Sequence, residues 1–304
     1  MKQQFDTLVS QIGRVILGKE KQIRLALTCL FAQGHLLIED LPGIGKTTLA
    51  KVLSKCLGLN FRRVQCTSDM LPGDILGNSI FEQKTGPFVF HPGPIFTQVL
   101  LADEINRATP KTQSALLEAM EERQVTVEGE TRMLDLPFFV IATQNPLEQS
   151  GTFSLPESQM DRFLMRISMG YPDRKAEKQL LMQGETRDAL DRLACCLEPE
   201  DVQRIQTEIV NVHASDALLD YVQDLIDFTR NTPDFSVGLS PRAGLALLRA
   251  ARSRACLSGR DHVIPEDVQM VFPWVCGHRL RSREDLLEFP MDRLTTMMMK
   301  VAVP

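Results

Sequence analysis

Aromatic residues and long apolar runs are scarce in this sequence of 304 residues. Aromatics make up only 6%, which disfavours an all-β chain held together by aromatic cross-strand pairs. No apolar run approaches the roughly 18–20 residues that a membrane-spanning helix needs, so we expect no membrane insertion. Residues 1–15 also lack the unbroken apolar segment of a secretory signal.

Cysteine pairs and excess positive charge are missing as well. The seven cysteines are odd in number and none belongs to a CxxC motif, which disfavours a disulfide framework or a zinc site. We therefore expect reduced thiols and a cytoplasmic protein. The 34 basic residues are outnumbered by 39 acidic ones, giving a net charge of −5. That balance disfavours a protein that holds nucleic acid mainly through its phosphates.

Five short apolar runs alternate with helical patterns before residue 170. Three of the runs are almost entirely apolar, which is typical of strands that helices cover on both faces. The predicted strands are 35–39, 61–67, 98–103, 138–143 and 163–168, and the predicted helices between them are 19–33, 46–57 and 110–122. The alternation predicts an α/β fold with a parallel sheet at its centre.

Two segments interrupt this alternation and resemble hairpins. Residues 78–97 look like two short strands joined at Lys84-Thr85-Gly86, and residues 123–137 look like a hairpin that turns at Glu128-Gly129.

The remainder of the chain has apolar residues three and four apart, as helices do. The predicted helices are 218–230, 241–257 and 265–280. We place a domain boundary near residues 185–195. This predicts an α/β core over 1–190 and a helical domain over 191–304.

A phosphate-binding loop is the strongest functional signal. Residues 41–48, LPGIGKTT, follow the first predicted strand and open a predicted helix, which is the position that such a loop requires. Backbone N–H groups at the start of that helix would surround phosphate oxygens. Lys46 would reach the β- and γ-phosphates, and the Thr47 hydroxyl would bind Mg²⁺. The residues predicted to bind nucleotide here are Pro42, Gly43, Ile44, Gly45, Lys46, Thr47 and Thr48.

The loop departs from the G-x-x-x-x-G-K-T pattern at its first position, where Asp40 replaces glycine. Aspartate tolerates unusual backbone dihedrals better than most residues, so the turn can still form. A carboxylate close to a triphosphate repels it, however. We therefore expect Asp40 to weaken ATP binding and the substitution Asp40→Gly to tighten it.

Two carboxylates end the third predicted strand. Asp103 and Glu104 follow an apolar run, which would bring them to the carboxyl edge of the sheet beside the phosphate-binding loop. Asp103 would hold Mg²⁺, and Glu104 would orient and deprotonate the attacking water. Such a pair is weak evidence alone, because many strands end in solvated charges. The loop makes the functional interpretation the better one.

The fourth predicted strand delivers a polar amide to the same edge. Asn145 follows this strand and precedes Pro146. It would hold the attacking water or sense the γ-phosphate. The alternative is an asparagine that merely precedes a proline turn.

Together these motifs resemble those of AAA+ ATPases, and of the MoxR family in particular. The resemblance is carried by PGIGKT at 42–47, LADEINRA at 101–108, ATQNP at 142–146, GTFSLPESQMDRF at 151–163 and LSPRA at 239–243. It implies a five-stranded parallel core with two inserted hairpins, a C-terminal all-α lid, and Mg²⁺-dependent ATP hydrolysis. It also implies a ring homo-oligomer, a hexamer, that remodels or activates a protein partner. Partners in this family commonly contain von Willebrand factor A domains.

The resemblance also implies roles for two arginines. Arg162 matches the arginine finger, which reaches the γ-phosphate held by the neighbouring subunit and stabilises charge on the transferred phosphoryl group. Arg242 matches the lid arginine called sensor 2. The alternatives are a structural Asp161–Arg162 pair and a solvated Arg242, and Arg107 is the next candidate for the finger.

Two other functions stay open. A nucleic-acid-dependent motor or loader could use the same core, although Glu128 and Glu130 at the tip of the second hairpin would repel phosphates. A non-catalytic scaffold, with a site damaged by Asp40, is the other possibility. The sequence does not identify the client protein. The aromatic side chains of the first hairpin either face a partner or, as we favour, pack on their own domain; the residues concerned are Phe81, Phe88, Phe90 and His91.

Overall fold

The computed structural model describes residues 1–81, 88–146, 151–183, 190, 192–283 and 291–304. The first part of the chain forms α1 (Lys2–Gly13), α2 (Glu20–Phe31), β1 (Leu36–Glu39), α3 (Lys46–Cys56), β2 (Phe61–Gln65), α4 (Pro72–Leu76), β3 (Gly77–Phe81), β4 (Phe88–Pro92), β5 (Val99–Asp103), α5 (Pro110–Glu122), β6 (Gln124–Val127), β7 (Glu130–Met133), β8 (Phe139–Gln144), α6 (Glu157–Met160), β9 (Met165–Ile167) and α7 (Arg174–Gln183). The second part forms α8 (Pro199–Val210), α9 (Asp216–Asn231), β10 (Phe235–Val237), α10 (Pro241–Leu257), α11 (Pro265–Cys276), β11 (Arg281–Ser282) and α12 (Met291–Met298).

A five-stranded sheet lies at the centre, in the order β2-β5-β8-β1-β9, and each neighbouring pair is parallel. This confirms the predicted parallel core. Side chains alternate between the two faces, so Leu36 and Ile38 of β1 enter one hydrophobic cluster while Leu37 enters the other. Both faces are therefore buried, as the apolar strands predicted.

Different helices cover the two faces. Helices α1, α2 and α3 pack on one face, and their apolar side chains share a cluster with the C-terminal helices. The other cluster holds apolar side chains of α5, including Leu116 and Met120. The polypeptide thus forms three layers. Because the five strands are parallel, they all begin at one edge of the sheet and all end at the opposite edge.

Both predicted hairpins are present, as the antiparallel pairs β3–β4 and β6–β7. The second turns at Glu128-Gly129, where both residues have positive φ, as a tight two-residue turn requires. The predicted turn of the first hairpin, Lys84-Thr85-Gly86, lies outside the described residues.

The aromatic side chains of the first hairpin divide into two groups. Phe81 and Phe88 are exposed and contact each other edge to face, with ring centroids 5.5 Å apart. Phe90 packs against Phe96 of its own domain and lies under the guanidinium of Arg132.

The C-terminal part is a helical lid, as predicted, and it also contains the short ribbon β10–β11, which the sequence did not predict. The lid packs on α2, where Ser253 Oγ donates to the carbonyl oxygen of Thr28 at 2.9 Å. The predicted boundary near residues 185–195 lies partly outside the described residues and stays a prediction. Within the described ranges, no helix combines the length and apolar character needed to cross a membrane.

Candidate nucleotide site

The phosphate-binding loop connects β1 to α3. Gly43 and Gly45 have φ of +82° and +92°, a left-handed conformation that side chains disfavour. The positive φ therefore favours glycine at both positions. Apart from the adjoining residues, no heavy atom lies within 4 Å of the position that a Cβ would take at either glycine, so the space beside the loop is open. Lys46 is only 8% exposed, and its Nζ donates to the Asp40 carbonyl oxygen at 2.6 Å. The loop therefore has an open concave backbone with a lysine held beneath it.

The Asp40 carboxylate faces the end of β9. Its Oδ2 accepts hydrogen bonds from Ser168 Oγ at 2.8 Å and from the Gly170 N–H at 2.6 Å. Its Oδ1 accepts from the Leu41 N–H at 2.9 Å. Three donors thus hold the carboxylate, and it ties the start of the loop to the neighbouring strand. This geometry gives Asp40 a structural role that the sequence did not predict, while its predicted effect on nucleotide affinity stays a prediction.

Asp103 ends β5 at the same edge of the sheet and is 8% exposed. Its Oδ1 accepts from Thr143 Oγ1 at 2.5 Å, and its Oδ2 accepts from Arg63 Nη2 at 2.6 Å. A carboxylate, together with the Thr47 hydroxyl at the start of α3, is the hard oxygen donor set that Mg²⁺ prefers. The residues present therefore fit a magnesium ion.

Glu104 has φ of +57°, in the left-handed region that a non-glycine residue enters at a cost of about 1–3 kcal/mol. Its N–H donates to Thr143 Oγ1, and its Oε2 accepts from Gln65 Nε2 at 2.8 Å. Arg107 Nε lies 3.1 Å from the same carboxylate oxygen. Arg107 is thus directed at a carboxylate of its own chain.

Asn145 follows β8 at this edge and is 7% exposed. A buried polar network supports its strand. Glu39 at the end of β1 accepts from Gln144 Nε2 at 2.6 Å and from Arg166 Nη1 at 2.8 Å. These bonds connect three adjacent strands below the loop and fix the edge on which the candidate residues lie.

The predicted arginine finger, Arg162, and the predicted sensor 2 arginine, Arg242, lie at the opposite edge of the sheet. Arg162 precedes β9, and Arg242 begins α10. Both bind the carboxylate of Glu121 in the last turn of α5, Arg162 Nη1 at 2.9 Å and Arg242 through Nη2. Asp161 pairs with Arg279 at 2.6 Å, so the proposed alternative of an Asp161–Arg162 pair is wrong for the described residues.

A cavity of about 310 Å³ marks this arginine edge. It is lined by both arginines, by Glu121 and by His35, which immediately precedes β1. Because β1 runs from His35 towards Asp40, the cavity and the phosphate-binding loop are separated by five residue steps, about 16 Å. The site residues therefore fall into two groups at opposite edges of the sheet.

Several residues of the site were not predicted. Arg63 and Gln65 belong to β2, and their polar side chains are typical of the exposed positions of an ordinary edge strand. Glu121 looked like any other solvent-exposed carboxylate on a helix. Side chains alternate between the two faces of a strand, so the sequence did indicate that Arg63 and Gln65 share a face of β2. It did not indicate which residues they would contact. Nothing in the sequence paired Glu121 with two arginines that are distant along the chain.

The chain is similar in sequence to known proteins. Residues 35–165 match the profile of the ATPase family associated with various cellular activities, and residues 227–295 match the AAA lid domain. The chain is 47% identical to the uncharacterized protein YeaC of Bacillus subtilis (strain 168), over 90% of this chain and 85% of that protein. It is 39% identical to chaperone MoxR1 of Mycobacterium tuberculosis, over 92% of this chain and 76% of that protein.

A solved structure shows the same fold. The crystal structure of a Cytophaga hutchinsonii protein designated an ATPase superposes with a TM-score of 0.89 at 34% identity, covering 99% of this chain and 94% of that one. Family profiles, relatives and fold agree with an AAA+ core followed by a helical lid. The chain belongs to the MoxR family of AAA+ ATPases.

Proposed function

We propose that this protein hydrolyses ATP with Mg²⁺ at the interfaces of a ring, and uses the reaction to remodel or activate a protein partner. One observation carries the proposal: the phosphate-binding loop and the carboxylate pair lie at one edge of the sheet, and the two arginines lie at the other. A second copy of the chain can present its arginine edge to the loop edge of the first. Repeating that head-to-tail contact closes a ring, for which we propose six subunits.

Each residue then has a role in phosphoryl transfer. Lys46 and the loop N–H groups bind the β- and γ-phosphates. Thr47 and Asp103 would hold Mg²⁺, which neutralises charge on the phosphate oxygens. Glu104 accepts a proton from the attacking water, and Asn145 orients that water.

The arginines complete the site from the neighbouring subunit. Arg162 and Arg242 would exchange the Glu121 carboxylate for the γ-phosphate of the adjacent subunit's ATP. Phosphate offers more acceptor oxygens and more negative charge than one carboxylate, so this exchange is favourable when the interface forms. An arginine in this position stabilises the transition state by ~10³–10⁵ in rate in other phosphoryl-transfer systems.

The partner is proposed to be a protein. A relative is named a chaperone, and the family resemblance points to a client with a von Willebrand factor A domain. Free cysteines throughout the chain support a reducing compartment, which we take to be the cytoplasm.

Nucleic acid is disfavoured as the partner. The β6–β7 hairpin has acidic residues at its turn, and its Arg132 pairs with Glu130 and stacks over Phe90. That arginine is therefore already engaged within the protein. Stimulation of ATP turnover by DNA would contradict this part of the proposal.

Mixing two inactive variants tests the shared site. Lys46→Ala removes the loop lysine but leaves both arginines, and Arg162→Ala does the reverse. We expect each variant alone to be inactive, and the mixture to recover part of the activity because some interfaces pair an intact loop with an intact finger. Mass spectrometry of differently tagged variants verifies that mixed rings form. If mixed rings form and the mixture stays inactive, Arg162 does not act across the interface.

A further inference from the structure

The guanidinium of Arg63 binds one oxygen of Asp103, the carboxylate that is expected to hold magnesium. Arg63 Nε and Nη2 lie 3.1 and 2.6 Å from Asp103 Oδ2, and Thr143 Oγ1 takes the other oxygen, Oδ1. Arg63 Nη2 also donates to Gln65 Oε1 at 2.7 Å, which fixes the guanidinium on the surface of β2. Both oxygens of Asp103 are therefore engaged by protein donors.

The register of the sheet produces this contact. Gln65 of β2 lies opposite Asp103 of β5, so Arg63, two residues earlier on the same face, reaches forward along the strand to the carboxylate. An arginine retains its charge throughout the physiological pH range. It cannot leave the carboxylate by losing its proton, and a metal ion approaching Oδ2 meets a fixed positive charge.

We propose that Arg63 is a positioning residue that competes with Mg²⁺ for Asp103. This inference rests on the proposed function, since it concerns the metal of the same site. Without nucleotide, Arg63 compensates the nearly buried carboxylate and holds it at the sheet edge. On binding of ATP with Mg²⁺, Arg63 would release Oδ2 of Asp103 to the ion or its bound water and would turn towards solvent. Its side chain is already 45% exposed, which makes that movement possible.

The effect on magnesium is predicted to be moderate. A partly exposed ion pair contributes about 0.4–1 kcal/mol, which corresponds to a ~2–5-fold change in an equilibrium constant at RT of about 0.59 kcal/mol. Arg63→Gln should therefore lower the Mg²⁺ concentration that half-saturates nucleotide binding by about 2–5-fold.

The chain offers a matched control on the same strand. Arg62 is exposed, and within the described ranges it makes no hydrogen bond or ion pair. Side chains alternate along a strand, so Arg62 points to the opposite face. Arg62→Gln removes the same charge without touching Asp103. The difference between the two variants therefore isolates the contact from the loss of one positive charge.

The experiment measures binding of a slowly hydrolysed ATP analogue by calorimetry, at Mg²⁺ concentrations from micromolar to millimolar, for the full-length protein and both variants. Thermal unfolding without nucleotide verifies that both variants fold. We expect Arg63→Gln to need less Mg²⁺ and Arg62→Gln to match the wild type. If the two variants need the same Mg²⁺ concentration, or if Arg63→Gln needs more than the wild type, the inference about Arg63 is wrong while the proposed metal site stands. Wild-type protein that binds the analogue with no Mg²⁺ dependence overturns the proposed metal site and this inference together.

Discussion

Replacing Asp40 with glycine restores the common loop pattern, yet the structure predicts a less stable protein that binds ATP no more tightly. The glycine variant loses three hydrogen bonds, from Ser168, Gly170 and Leu41, at distances of 2.6–2.9 Å. Two of these bonds link the loop to the end of β9. Without them the loop loses its connection to the sheet, and the carbonyl oxygen that accepts from Lys46 becomes less well positioned.

The magnitude follows from the type of bond. Hydrogen bonds to a charged acceptor contribute about 1.5–3 kcal/mol each when buried, and less when solvent competes. Because this carboxylate is half-buried, we expect Asp40→Gly to lower the free energy of unfolding by ~2–3 kcal/mol. Asp40→Asn, which retains one acceptor oxygen, should lose about 1–2 kcal/mol, and Ser168→Ala about 0.5–1 kcal/mol.

Chemical denaturation measures the stabilities of the three variants, and calorimetry measures their ATP affinities. We expect affinity in Asp40→Gly to be unchanged or weakened by up to ~5-fold, about 1 kcal/mol. The reasoning is refuted if Asp40→Gly binds ATP more tightly while keeping wild-type stability. In that case electrostatic repulsion, and not the link to β9, would be the main effect of Asp40.

Three further outcomes are expected. Glu104→Gln should retain ATP binding and lower turnover by ~10²-fold or more, and near wild-type turnover would remove Glu104 from the mechanism. Arg242→Ala should be inactive alone and should regain part of the ATP turnover when it is mixed with Lys46→Ala. If mixed rings form and no turnover is recovered, Arg242 does not act on the ATP of the neighbouring subunit. The stability contributed by His35 should fall by up to ~3 kcal/mol as the pH drops from 6.5 towards 4, because burial lowers the pKa of His35 to about 4 and the unfolded chain takes up the proton first. Burial also lowers the pKa of His278, which adds to the loss for the whole protein. His35→Gln should show a shallower pH dependence in urea denaturation, and an unchanged slope would assign the effect to other groups.

The sequence was sufficient to predict those parts of the site in which position along the chain determines position in space. A polar residue that follows a buried parallel strand must lie at the carboxyl edge, and this rule places Asp103 and Asn145 beside the loop. The same rule places Arg162, which precedes a strand, at the other edge. The fold was predictable for a similar reason, since nearly continuous apolar strands need helices on both faces.

Contacts between distant segments were not predictable. The bond between Arg63 and Asp103 depends on which strand lies beside β5 and in what register, and the pattern of β2 gave neither. The structural role of Asp40 depends on the position of Ser168, at the end of a strand that is remote in sequence but adjacent to β1. Comparison with the G-x-x-x-x-G-K-T pattern suggested a damaged loop, because the pattern does not show which groups the Asp40 carboxylate binds.

Charged side chains at both edges of the sheet find partners within the single chain. At the loop edge, Arg63 neutralises Asp103 and Arg107 approaches Glu104. At the arginine edge, Glu121 lies in the last turn of α5, where the helix dipole disfavours an acid, and two guanidiniums compensate it. Each of these charged groups therefore has a partner in an isolated subunit, although two guanidiniums share the single Glu121 carboxylate. Under the proposed function, ATP with its metal displaces a partner at each edge, so nucleotide binding and subunit contact are energetically coupled. The same coupling explains why ATP should favour the ring and why neither edge alone should be active.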